Sequence, residues 1–165
     1  MKILGIDPGI ANTGFGVVMR SGARASALAA GVITTPASAS PAERLTTLFR
    51  DVEGLIAEHT PDAVALEELY FGQNASSAMA VGQARGVVLL AAGRGGLTAT
   101  GYTPQQIKQA VCGSGRADKQ QVITMVVSAL GLADSRVPDH AADALAVAMC
   151  HLNHAPLAQA LAGVR

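Results

Sequence analysis

The sequence predicts an α/β fold, a mixed five-stranded sheet flanked by helices on both faces. Three observations carry that expectation. Three β-rich runs follow one another before any helical pattern begins. Beyond them, short apolar strands alternate with segments of helical period. A chain of 165 residues is also long enough for one domain with its own core. We place that domain at residues 1–155 and treat 156–165 as a C-terminal tail.

The elements follow in order. "KILGID" alternates, is rich in β-formers and breaks at "PG". "GFGVVMR" and "ASALAAGVITT" read as two more strands, and "PGIANT" as the turn joining the first two, so the chain opens as an antiparallel meander. From Pro41, apolar residues at Leu45, Leu48, Phe49, Val52, Leu55 and Ile56 give a helical period. Ser40 and Glu43 form a capping box there, with Pro41 at the first helical position. "DAVALEE" is a short apolar strand that ends in acids. "NASSAMAVGQARGVVLLAAG" reads as a long helix and "LTATGYT" as the fifth strand. "PQQIKQAVCG", "ADKQQVITMVVSALG" and "DHAADALAVAMCHL" read as three helices.

Composition narrows the function classes. Cys112 and Cys150 are too few and too far apart for a disulfide framework or a zinc site, so a reducing, cytoplasmic setting is expected. The start "MKILGIDPG" lacks the apolar stretch of a signal peptide. The run "GVVLLAAG" between Arg85 and Arg94 is too short to span a bilayer, so no membrane association is expected. Formal net charge is zero, yet the charges are unevenly spread. Between Gly72 and Ala133 the net charge is +4, while Asp7, Glu67, Glu68, Asp139 and Asp143 lie outside that stretch. Such asymmetry fits a polyanionic partner beside an acidic, cation-binding centre.

The chemistry-bearing residues stand at element ends. Asp7 closes the first strand, Glu67 and Glu68 the fourth, and Asp139, His140 and Asp143 open the last helix. Any one of these alone reads equally as a turn residue, a strand exit or a helix cap. Their spacing is more informative. His140 and Asp143 are three residues apart and share a helix face, a known way to aim two ligands at one metal. Phosphodiester hydrolysis requires an activated water and a stabilised leaving oxygen. Two divalent ions about 4 Å apart supply both and need several carboxylates to hold them.

"GIDPGIANTGFGVV", "ALEELYFGQNASSAMAVGQARGV", "YTPQQIKQAVCGSGRADKQQV" and "DHAADALAVAMCH" resemble the RuvC family of bacterial Holliday junction resolvases, in order along nearly the whole chain. The resemblance implies a ribonuclease-H-like fold and a homodimer. It also implies paired nicking of four-way junction DNA in recombination and repair, dependent on Mg²⁺ or Mn²⁺. It assigns Asp7, Glu67 and Asp143 as catalytic acids and metal ligands. Where the family commonly has an Asp three residues before the last acid, this chain has His140. Either His140 is the ligand, or Asp139 reaches the metal from the neighbouring position. Helical geometry favours His140, because three residues leave the pair about 60° apart, and leaves Asp139 to cap the helix.

The same resemblance places Lys108 and Lys119 near the DNA backbone and Tyr70 at the junction centre, where a ring can stack on a base. Arg116 and Arg85 complete the candidate DNA contacts, and the RuvA and RuvB branch-migration proteins are the implied partners. His59, His151 and His154 read as surface or helix-face residues. In the long helix, Ala75, Ala78, Gly82 and Gly86 form a small-residue stripe, open to a dimer seam or to packing on the sheet. Three competing functions share parts of this pattern. An RNA-processing nuclease would share the acids but not "QNASSA…GQARG". A phosphotransferase with an Asp-Gly turn would need a second lobe. A junction-binding scaffold would follow if His140 cannot serve in place of the acid.

Overall fold

The computed structural model describes residues 1–68, 75–132 and 137–162. Its elements are β1 (Lys2–Asp7), β2 (Asn12–Ser21), β3 (Arg24–Thr34), α1 (Pro41–His59), β4 (Ala63–Glu67), α2 (Ala75–Arg94), β5 (Ala99–Tyr102), α3 (Pro104–Cys112), α4 (Lys119–Leu130) and α5 (Asp139–Ala162). The strand order is β3-β2-β1-β4-β5. β1, β2 and β3 pair antiparallel, and β1, β4 and β5 pair parallel. The expected mixed five-stranded sheet and its opening meander are therefore present.

Strand alternation sends successive side chains to opposite faces. Leu4, Ile6, Val17, Val64 and Leu66 meet Leu48 and Val52 of α1 and Ala84 and Val88 of α2. Ile3, Val18, Ala63 and Ala65 meet the other face, built from α3, α4 and α5. Capping boxes start three of the helices: Ser40 with Glu43, Thr103 with Gln106, and Asp118 with Gln121.

α5 is the central helix of its layer. From Ala141 to Leu152 nearly every residue is buried, because the sheet lies on one side and α3 and α4 on the other. Its approach to the sheet depends on three glycines. A β-carbon at Gly14 would overlap the carbonyl of His140, one at Gly5 would overlap that of Ala144, and one at Gly16 would press on Leu145. Gly5 and Gly16 are cross-strand partners, and Gly14 is the partner of Asp7. The helix thus lies directly on backbone, with its first turn beside the end of β1.

The boundary expected at residue 155 falls inside α5, one residue before Pro156. A proline removes the donor for the carbonyl four residues earlier, here that of Leu152. Arg20 of β2 donates one guanidinium N–H to that carbonyl and a second to Asn153 Oδ1, at 2.6 Å. His151 corrects the reading of it as a surface or helix-face residue: it is buried, and its Nδ1 lies 3.0 Å from the Tyr102 hydroxyl.

Candidate active site

The alternation that puts Ile3 and Gly5 under α5 also puts Asp7 there, and in β4 the same logic carries Glu67. Parallel pairing of Ile6 with Leu66 sets the two acids side by side where β1 and β4 end. The turn after Asp7 is fixed by hydrogen bonds from β2 and from the segment after β3. Thr13, fully buried, donates to the Gly9 carbonyl, Thr35 donates to that of Ile10, and Arg44 Nε holds the Thr35 hydroxyl at 2.8 Å. None of these three was read as a site residue. The sequence signals only Thr13, a polar residue within the largely apolar β2.

α5 supplies the rest. His140 Nδ1 lies 2.9 Å from Asp7 Oδ2. Asp7, His140 and Asp143 each present a ligand atom, and all three atoms lie within 4.8 Å of one another. Asp139 does not cap the helix, contrary to expectation. It occupies the first helical position, and the Pro138 carbonyl accepts from the amide of Ala142. Its carboxylate points to Lys119 Nζ, at 3.4 Å, which also reaches Asp143 Oδ2 at 3.3 Å. An acid in the first turn still interacts favourably with the helix dipole.

Glu67 is half-buried at the meeting of two clefts. One, of about 290 Å³, is lined by Glu67, Asp143, Lys108 and Lys119. The other, of about 360 Å³, is lined by Glu67, Asp7 and His140. Burial and then the charges of Asp7 and Asp143 push the Glu67 carboxyl up to about 7, with partial relief from Lys108 and Lys119. Burial likewise raises Asp143, against the opposing pull of Lys119. For Lys119, desolvation works downward but is outweighed by Asp143 and Asp139, so its ammonium is held above the usual range. A carboxyl raised by burial and by neighbouring negative charge in this way is stabilised in its ionised form by a cation. The donor set of carboxylates with one imidazole suits a divalent ion, Mn²⁺ tolerating the nitrogen better than Mg²⁺.

The DNA-facing candidates separate. Lys108 and Lys119 share the cleft with the acids. Arg116 lines a different cleft, with Asp118, Gln121 and Met125. Arg85 is half-buried, and its guanidinium donates to the Glu67 carbonyl at 3.0 Å. Tyr70 lies outside the described residues. Among the described residues, no helix is long and apolar enough to cross a membrane.

Comparison with known proteins agrees with this geometry. The family model described as crossover junction endodeoxyribonuclease RuvC matches residues 3–151. RuvC of Heliobacterium modesticaldum is 55% identical over 150 residues, covering 91% of this chain and 93% of the relative. The structure of Thermus thermophilus RuvC is similar with a TM-score of 0.88 at 39% identity, covering 96% of this chain and 97% of that one. T. thermophilus RuvC in complex with a Holliday junction substrate gives 0.87 at 37% identity, covering 95% and 96%. The matched span takes in Asp7, Glu67, His140 and Asp143 together with nearly all of the sheet and the first half of α5, and the chain belongs to the RuvC family of crossover junction endodeoxyribonucleases.

Proposed function

We propose that this protein resolves four-way DNA junctions by paired, metal-dependent nicks. One observation carries the reading: strand ends and a helix start converge on Asp7, Glu67, His140 and Asp143, with Lys108 and Lys119 in the adjoining cleft. Asp7, Glu67, His140 and Asp143 would hold two divalent ions, Mg²⁺ or Mn²⁺. When bound, such ions supply Lewis acidity toward a phosphodiester and make water a nucleophile near neutral pH. The protein's own part is positional. Asp7 and Glu67 are fixed by the sheet, and His140 and Asp143 by the glycine-seated helix. Lys108 and Lys119 provide positive charge for a phosphate chain, so binding weakens steeply with salt. Arg116 extends that positive surface, and Tyr70 is assigned to base stacking at the junction centre.

The test is cleavage of a labelled four-way junction beside a linear duplex of matched sequence, in Mg²⁺ and in Mn²⁺. Symmetric nicks in the junction alone, lost in Asp7→Asn and His140→Ala and kept in Asp139→Ala, are the expected result. Tight junction binding without cleavage in either metal would leave only a scaffold. Loss with Asp139→Ala but not with His140→Ala would move the ligand back one residue.

Two symmetric cuts call for a two-fold dimer. The outward face of α2 carries exposed Met79, Leu89 and Leu90 around Gly86, and nothing lies within 4 Å of where a Gly86 side chain would begin. We assign this face to the homodimer. Sedimentation of wild type as a dimer and of Gly86→Arg as a monomer is expected; an unchanged dimer would place the seam elsewhere. RuvA and RuvB are the proposed protein partners, testable by co-sedimentation on junction DNA.

A further inference from the structure

We infer that Arg85 is a positioning residue for Glu67, acting through that residue's backbone, and not a DNA contact. The inference rests on the resolvase reading of the site.

Val64 and Glu68 donate to Thr98 and Tyr102 of the β5 side, so the even residues of β4 bond toward β5. The odd residues, Glu67 among them, bond toward β1. With Ile6 opposite Leu66, the next donor that would reach the Glu67 carbonyl belongs to position 8. Position 8 is Pro8, which has no N–H. The ladder therefore stops one bond short at the residue whose side chain stands between the two clefts. A carbonyl left unpaired in a half-buried place costs free energy and leaves its peptide free to rotate.

Arg85 fills that gap. It reaches from α2, beneath the sheet, and its Nη1 donates to the Glu67 carbonyl at 3.0 Å. The peptide is thus held on one side by Tyr102, through the Glu68 amide at 2.8 Å, and on the other by Arg85. Space for the guanidinium comes from Gly101 of β5, where a β-carbon would stand 2.9 Å from Arg85 Nη2 and 2.8 Å from Glu68 Oε1. A cation directed at a backbone carbonyl and packed over a glycine is placed to fix a strand end. Fixing that end fixes the direction in which the Glu67 carboxylate leaves it.

The experiment compares wild type, Arg85→Met and Arg85→Lys in three measurements. The first is single-turnover cleavage of a four-way junction in Mn²⁺. The second is junction affinity in Ca²⁺ as a function of salt. The third is Mn²⁺ binding to the protein alone, by electron paramagnetic resonance of the free ion. Positioning partners of this kind are worth about 10- to 100-fold. Arg85→Met is expected to cleave and to bind Mn²⁺ about tenfold or more less well, with unchanged junction affinity and salt slope. Arg85→Lys, which retains one donor, is expected to fall between. Intact junction binding also reports that the variant is folded; should Arg85→Met not fold, the same criteria apply to Arg85→Lys. Weaker junction binding with a salt slope smaller by about 0.9 would make Arg85 a phosphate contact and overturn the inference. Unchanged Mn²⁺ affinity would overturn it as well. Failure of the wild type to cleave would instead count against the resolvase reading, with the Mn²⁺ comparison still deciding the role of Arg85.

Discussion

The two faces of the sheet are packed on opposite principles. Toward α1 and α2 the strands present Leu4, Ile6, Val17, Val64 and Leu66, bulky residues that fill space. Toward α5 they present, beside Ile3 and Val18, a row of small residues that give space up: Gly5, Gly14, Gly16, Ala63 and Ala65. The first face gains apolar burial from bulky strand side chains as well as from its helices. The second supplies closeness: α5 lies on the strand backbone, and its first turn reaches Asp7. The close backbone approach on which the geometry of the site depends is thus found on one side of the sheet, over the glycines.

The sharpest way to break this contrast is to add one carbon at Gly14. Gly14→Ala drives a methyl into the His140 carbonyl, so the helix start must move off the strand. Misplacement of a ligand by about 1 Å is worth roughly a hundredfold in rate, and junction cleavage per folded molecule, with folding checked by circular dichroism, is expected to fall by about that much. The complementary cut is Leu48→Ala on the opposite face. Leu48 is fully buried, and its loss should cost about 2–5 kcal/mol by urea unfolding. Cleavage by the remaining folded protein should stay within about twofold. A large loss of rate per folded molecule in Leu48→Ala would show that the faces are not independent.

The α5 face also carries the cost of the site. Folding lifts the Glu67 carboxyl from 4.5 to about 7. Between those values the native chain keeps a proton that the unfolded chain has released, so stability falls as pH rises through that window. The full shift corresponds to about 3 kcal/mol as an upper bound. Urea unfolding of metal-stripped protein between pH 4.5 and 8 should show this decline, and Glu67→Gln should flatten it. An equal decline in Glu67→Gln would assign it to other groups. The smallest expected effect is that of Arg20→Met. It leaves the Leu152 carbonyl without a donor and should cost about 1 kcal/mol, read as faster amide exchange in the last turns of α5 with cleavage unchanged.

Much of this was legible in the sequence because it is local. Strand alternation, the Ser40–Glu43 box and the three-residue step from His140 to Asp143 are all patterns within one element, and the structure has each of them. What could not be read is what one element does for another. A lone Arg on a helix, such as Arg85, gives no sign of the carbonyl it meets on a strand eighteen residues earlier. His151 looked like a helix-face residue because Tyr102, its partner, stands on β5, 49 positions away. Asp139 looked like a cap because Lys119 belongs to α4. Charge and polarity could be counted along the chain, but their partners are set by topology.

Arg20 and Arg85, which each donate to a backbone carbonyl, stand in the same relation to a proline. Pro156 deletes a donor and Arg20 of a different element supplies one, and Pro8 and Arg85 stand in the same relation at Glu67. The proline is costly without the arginine, whereas the arginine is tolerated without the proline. A proline arriving first orphans a carbonyl; an arginine lost afterwards does so again, whereas reversion of the proline makes the arginine dispensable there. Each pair therefore fixes the order in which its two codons can change, and a family tree of such chains should show the arginine arriving no later than the proline and departing no earlier.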